Sequence, residues 1–341
     1  PEFIIIYRLS MLDLVKDGST WEEIVELARR IEAAGASIIN TGIGWHEARV
    51  PTIATMVPRA GFKWVTEKLK GEVNLPLVTS NRINMPEVAE QVLAEGCADM
   101  VSMARPFLAD PDWVKKAETS RADEINTCIA CNQACLDHVF RNKRCSCLVN
   151  PLACHETEWV LEPTTKAQRV AVVGAGPAGL ACAATAAERG HQVTLFDGAG
   201  EVGGQFNMAK KIPGKEEFVE TLRYFRRQLE LHGVDVQLNT RVSAQDLAEG
   251  DFDAVVLATG VHPRRIDLEG IDHPKALSYI DVLARGIEVG ERVAIIGAGG
   301  IGFDVAEYLA HSGRSTALDT AAFMAEWGVD QTFSNRGGVR T

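Results

Sequence analysis

The chain has 341 residues and a formal charge of −11, from 46 acidic against 35 basic side chains. That length allows two or three domains with real cores, and the acidic balance with no basic run argues against nucleic acid as a partner. Eight cysteines, six of them between Cys128 and Cys154, read in a large chain as metal ligands in a reducing, cytoplasmic compartment rather than as disulfides.

The first 120 residues repeat one pattern. An apolar strand over residues 3–7 precedes a helix whose apolar face runs Trp21, Ile24, Val25, Leu27, Ala28 and Ile31. A strand at 37–41 leads through a long loop to a helix around 62–70. A third strand at 76–79 is followed by a helix at 86–95, and a fourth at 99–104 by a helix from about 110 to 118. Asp110, ahead of Pro111, is the expected N-cap of that last helix. Alternating short strands and helices imply a parallel sheet. Four such units make half of a barrel that needs eight; a small open α/β sheet is the alternative. Half a barrel leaves apolar strand edges that soluble proteins avoid. The chain also opens at Pro1 almost inside a strand, so it reads as an internal portion of a longer enzyme, expected to be inactive alone.

Residues 121–165 carry Cys128, Cys131, Cys135 and Cys147 in a C-x2-C-x3-C-x11-C arrangement. Three thiols on one tight turn, with a fourth farther on, match an iron–sulfur cluster. A structural zinc also accepts four sulfurs, though more often from two well-separated pairs. Cys145, two residues before Cys147, competes for the fourth place. Cys97, Cys154 and Cys182 read as packed thiols.

Residues 166–290 open a dinucleotide-binding fold. The uncharged stretch 170–187 is nearly long enough to span a bilayer, but Gly174, Gly176, Pro177 and Gly179 make it a strand, turn and helix, so no membrane association is expected. In Gly174-Ala175-Gly176-Pro177-Ala178-Gly179, the first glycine permits the tight turn. The second admits a pyrophosphate to the backbone, and the third lets helix pack on strand. The pyrophosphate then meets a helix N-terminus. A strand at 192–196 ends at Asp197, 23 positions past Gly174, placed for an adenosine ribose. Another strand is expected at 254–257. From 291 onward a strand at 292–296 and Gly297-Ala298-Gly299-Gly300-Ile301-Gly302 begin a second nucleotide-binding fold, whose remaining strands the last 40 or so residues are too few to supply. The architecture is therefore α/β: half a TIM barrel, a cysteine segment, then doubly wound FAD/NAD(P)-type domains.

The segments TGIGWHEAR (41–49), MARPFLAD (103–110), CIACNQACLD (128–137), CLVNP (147–151) and GGQF (203–206) resemble the bacterial 2,4-dienoyl-CoA reductases. These are NADPH-dependent iron–sulfur flavoenzymes of the old-yellow-enzyme-related family. The resemblance implies an FMN barrel, a 4Fe-4S segment, an FAD domain and an NADP domain, with electrons passing from NADPH to FAD, to the cluster, to FMN and to an acyl-CoA substrate. It places Arg8 near the FMN ring and Arg82, Ala104 and Arg105 at the FMN phosphate. His46 would assist proton delivery, with Glu47, Ala48, Arg49 and Val50 lining the substrate's approach. Cys128, Cys131, Cys135 and Cys147 would hold the cluster. Gly174, Gly176, Ala178, Gly179, Asp197, Gln205 and Val242 would bind FAD, and Gly297, Gly299 and Gly302 NADPH. A sister enoate reductase or amine dehydrogenase remains a rival, as does a non-catalytic, zinc-stapled nucleotide-binding module.

Overall fold

The computed structural model describes residues 3–45, 47–264 and 266–340. The chain divides into two compact units. One combines the residues up to Cys154 with those from Gly313 onward, and the other is His155–Ser312.

The first unit is a four-stranded sheet of β1 (Ile6–Leu12), β2 (Ile38–Ile43), β3 (Leu77–Thr79) and β4 (Met100–Val101), with neighbours parallel and in sequential order. Sequential parallel order belongs to a (β/α) barrel wall rather than to a doubly wound sheet, whose order reverses. Helices α1 (Trp21–Ala33), α2 (Lys63–Leu69) and α3 (Pro86–Ala94) follow the first three strands. Thr20 caps α1 reciprocally: the Glu23 N–H donates to its Oγ1 at 3.2 Å, and the Thr20 N–H donates to Glu23 Oε2 at 2.9 Å. Ile24, Val25, Ala28 and Ile31 of α1 are buried, but Leu27 is exposed and leaves the expected apolar face.

Three sequence expectations shift here. The first strand spans Ile6–Leu12, not residues 3–7, because alternation rather than bulk hydrophobicity marks it. Leu9 and Met11 are buried, whereas Arg8 before them and Ser10 between them are exposed. Asp99 and residues 102–104 leave the fourth strand, an unforeseen short helix α4 (Arg105–Ala109) starts before α5 (Trp113–Glu118), and α6 (Leu136–Phe140) follows within the cysteine segment. Asp110 is not the N-cap of α5, whose cap position is Asp112. Its Oδ1 still accepts the Asp112 N–H at 3.0 Å at the approach to that helix, while its buried Oδ2 anchors the Asn126 N–H at 2.8 Å and Lys116 Nζ at 2.6 Å.

The segment 313–340 was expected to extend the second nucleotide fold, but it packs into the first unit. Phe323, Met324 and Val329 join Leu9, Met11, Leu12 and Phe62 in one core. The Leu14 N–H donates to the Gly337 carbonyl at 2.8 Å and the Gly337 N–H to Ser19 at 2.9 Å. Gly337 has φ 71, and a Cβ there would meet the Val15 carbonyl oxygen, so only glycine suits this contact. Asp330 organises the same segment. Burial pushes its carboxyl up, but hydrogen bonds from the side chains and backbone of Thr332 and Asn335 outweigh burial and hold it down at about 2. A depressed carboxyl stabilises the fold above its unfolded value near 4, and that stability is lost as pH falls through about 2. Asp330→Asn is therefore expected to be less stable at neutral pH and to show a shallower acid limb between about pH 4 and 2. Circular dichroism across that window checks this.

The second unit is a parallel sheet in the order β7 (Asp235–Gln237), β6 (Gln192–Phe196), β5 (Arg169–Val173), β8 (Ala254–Leu257). That 3-2-1-4 sequence is the doubly wound arrangement. Helix α7 (Pro177–Glu188) and the long helix at Phe218–Leu231 cover it, burying Leu180, Ala183, Leu222 and Leu229 against Val170, Val172 and Leu195. The strand expected at 292–296 does not form. A strand needs a hydrogen-bonded neighbour, and neither sheet includes this segment, whose Val293, Ile295 and Ile296 are exposed. The helix expected after it is present at Gly300–Ala310. Among the described residues, no helix is long and apolar enough to cross a membrane.

Candidate functional site: a cysteine pocket and two glycine turns

The cysteine segment is pinned to the barrel unit before any ligand is considered. Ile125 and Ile129 are fully buried. Thr55 Oγ1 donates to the Ile129 carbonyl at 2.8 Å, Asn84 Nδ2 to Cys128 at 3.0 Å, and Asn126 Nδ2 to Val149 at 2.8 Å. Asn150 Nδ2 donates to the Leu108 carbonyl at 2.9 Å. Between these anchors the backbone turns sharply, with Ala130 at φ 54 and Asn132 at φ 60. Asn tolerates that left-handed region, while Ala is strained there.

The turn brings Cys128, Cys131, Cys135 and Cys147 to one pocket, which Arg105 and Asn132 also line. Cys145 does not line it, which favours Cys147 for the fourth position. Among the described residues, no three or more His, Cys, Asp or Glu side chains are gathered closely enough to grip a single metal ion. Burial pushes the Cys128 thiol up, and the positive charges of Arg105 and Arg82 oppose it. Burial also raises Cys131 and lifts Cys147 to about 11. These thiols are costly to ionise without a cation in the pocket, the condition that bound metal satisfies. Four soft sulfur donors around one desolvated space fit an iron–sulfur group.

The arginines expected at a phosphate gather near this pocket. Arg105 Nη1 donates to the Ile53 carbonyl at 2.9 Å and to Asn132 Oδ1 at 2.5 Å. Arg82 is buried, with Nε donating to the Val57 carbonyl at 2.9 Å. Ala104 is exposed just ahead of α4. Arg8 sits mid-strand, opposite Asn40 of β2. Glu47 and Arg49 are exposed and Ala48 partly buried, but Val50 points into the barrel core, so its side chain is not free to line an approach. His46 lies outside the described residues.

In the second unit the first glycine motif has its expected form. Gly174 has φ 107 between β5 and α7, and Gly176 occupies the N-cap without a capping side chain. A Cβ on Gly179 would strike the Gly174 carbonyl, which is why helix and turn close only on glycine. Ala178 is exposed in the first turn of α7. Asp197 accepts the Ala175 N–H on Oδ2 at 2.6 Å and the Ala199 N–H on Oδ1 at 2.8 Å. It thus fixes the turn through both carboxylate oxygens. Gly203 donates its N–H to the Ala175 carbonyl at 2.8 Å, which sets Gln205 beside the motif. Val242 follows Thr240, whose N–H donates to the Asp197 carbonyl at 2.9 Å. The later motif copies the packing rule: Gly297 has φ 110, Gly299 is an N-cap, and a Cβ on Gly302 would strike the Gly297 carbonyl.

Asn84, Asp110, Asn126 and Asn150 are site residues that sequence reasoning missed. Asn126 and Asn150 flank the cysteine run, where a polar side chain shows no period, and Asn84, 44 positions before Cys128, left no signal in sequence at all.

Comparison with known proteins agrees with both halves. Residues 1–124 match the NADH:flavin oxidoreductase / NADH oxidase family, and residues 168–334 match pyridine nucleotide-disulphide oxidoreductase. A metal reductase of Desulforamulus reducens is 38% identical over 92% of this chain and 47% of its own length. An NADH oxidase of Thermoanaerobacter brockii is 35% identical over 93% of this chain and 50% of its own. The solved structure of a 2-naphthoyl-CoA reductase complex superposes with a TM-score of 0.87 at 33% identity, over 94% of this chain and 52% of the other. The chain spans about half the length of the curated relatives it matches. Its residues 1–124 thus resemble the NADH:flavin oxidoreductase / NADH oxidase family, and its residues 168–334 resemble pyridine nucleotide-disulphide oxidoreductase.

Proposed function

We propose that this chain is part of an NADPH-dependent flavin oxidoreductase that reduces the conjugated thioester of 2,4-dienoyl-CoA. The supporting observation is the pocket shared by Cys128, Cys131, Cys135 and Cys147, lying in sequence between a flavin-oxidoreductase stretch and a pyridine-nucleotide stretch. When bound, NADPH supplies a hydride, and FAD, a 4Fe-4S cluster and FMN carry its electrons to the substrate's distal carbon.

The chain's own residues hold and tune these groups. The four cysteines share one pocket, where each would take a different iron of the cluster. Arg105 and Arg82 offset negative charge beside Cys128, and Arg8 presents a cation on the exposed face of β1 for the FMN ring. Gly174, Gly176, Ala178 and Gly179 offer backbone N–H groups and a helix N-terminus to the FAD pyrophosphate. Gln205 and Val242 flank that turn, and Gly297, Gly299 and Gly302 do the same for NADPH. His46 assists the proton to the substrate, with Glu47, Ala48 and Arg49 along its approach. Similarity to a 2-naphthoyl-CoA reductase supports a CoA thioester rather than an amine.

The test uses the full-length protein with NADPH, under nitrogen, offered a dienoyl-CoA, an aroyl-CoA and an amine in turn. Dienoyl-CoA is expected to stimulate NADPH oxidation most, with one double bond lost from the product. NADPH oxidation in air with no response to any acyl-CoA would instead place the enzyme with the NADH oxidases.

A further inference from the structure

Two cysteines of the same segment have no part in the pocket. Cys145 does not line it, and its Sγ is in hydrogen-bond contact with the thiol of Cys154, which is exposed. Both limbs that carry them are tied down. The Ser146 N–H donates to the Ala134 carbonyl at 2.8 Å. Asn150 holds the returning limb, its Oδ1 accepting the Leu152 N–H at 3.2 Å and its carbonyl the Ala153 N–H at 3.1 Å. Cys154 itself is held at φ 64, a left-handed backbone that a side-chain-bearing residue adopts only where its surroundings impose it. Two thiols nine positions apart are therefore brought together by the folded segment and not by local sequence. No disulfide joins them in the structure.

We propose that Cys145 and Cys154 form a reversible dithiol–disulfide pair that exchanges with small disulfides of the oxidised-glutathione class. The exposed Cys154 thiolate attacks one sulfur of the small disulfide, whose S–S bond breaks. A mixed disulfide forms on Cys154 and one small thiol leaves. Cys145, already in contact, attacks the Cys154 sulfur and expels the second small thiol. Two protein thiols are oxidised, one small disulfide is reduced to two thiols, and the two protein protons end on those thiols. Intracellular disulfides of this kind are transient and sensing rather than structural. The ring that closes contains Cys147, so oxidation fastens the loop bearing the fourth pocket thiol. The exchange itself needs neither iron nor flavin.

The experiment incubates the full-length protein anaerobically with oxidised glutathione, then quenches in acid and unfolds it. Remaining thiols are blocked with light N-ethylmaleimide, and those released by reduction are labelled with the heavy form. Cys145, Cys147 and Cys154 fall between Arg144 and Lys166, in one tryptic peptide, so fragment ions assign the labels. The expected result is heavy label on Cys145 and Cys154 in equal amount and none on Cys147, reversed by prior treatment with a dithiol. In Cys145→Ser, glutathione should stay attached to Cys154. Heavy label on Cys147, on Cys154 alone in the natural sequence, or on neither residue of the pair overturns the proposal.

Discussion

Full-length protein carrying Cys147→Ser is expected to lose most of its iron and acid-labile sulfide, together with NADPH-dependent acyl-CoA reduction, whereas Cys145→Ser keeps both. The pocket contains Cys147 and omits Cys145, so only the former change removes a donor from the desolvated space. Outer-shell substitutions alone cost about 10–100-fold in metal affinity or activity. Removing a ligand should therefore cost roughly a hundredfold or more in turnover. Colorimetric iron and sulfide on the two purified variants, with the visible spectrum of each, gives the answer. Normal iron in Cys147→Ser with loss in Cys145→Ser would reverse the assignment, and one equivalent of zinc without sulfide in the natural protein would remove the electron-transfer reading.

The second large effect is structural. Phe323 is fully buried, edge-on to Phe62 with ring centroids 6.4 Å apart and tilted against Trp327 at 6.1 Å. Phe323→Ala should destabilise the barrel unit by about 3–5 kcal/mol, since a residual cavity adds to the lost transfer energy. For a unit of this size, that shifts its melting point by on the order of 10 °C. Trp21, Trp45, Trp64, Trp113 and Trp327 all lie in this unit, with only Trp159 in the other, so tryptophan fluorescence reports the correct transition. A change below about 1 kcal/mol, the scale of an ordinary surface substitution, would mean that 313–340 does not close this core.

Much of this was legible because the informative signals are local. Gly174, Gly176 and Gly179 specify a turn, a cap and a packing contact within six residues, and the strands at 192–196 and 254–257 coincide with the observed β6 and β8. The order of the four cysteines, Cys128 to Cys147, likewise needed no tertiary knowledge. The misses depend on partners distant in sequence. Asp110 looked like a helix cap because Pro111 follows it, and its Oδ1 does accept the Asp112 N–H at 3.0 Å, but its Oδ2 takes Lys116 and Asn126, a role no local pattern shows. Ile295 and Ile296 carry strand propensity, but propensity without a ladder leaves them exposed. Phe323 and Val329 lie some 300 residues from the strand they cover, a separation no window of sequence detects.

That separation bears on synthesis. Residues 155–312 emerge from the ribosome between the two parts of the barrel unit, and at about 5–20 residues per second they take roughly 8–30 s to appear. During that interval the face that Phe323 and Met324 will cover stays open to solvent, while the residues packed around Val172, Leu180 and Leu195 are already present. Holdase chaperones should therefore be needed most around Leu9, Met11 and Leu12, the part of β1 that waits longest for its cover.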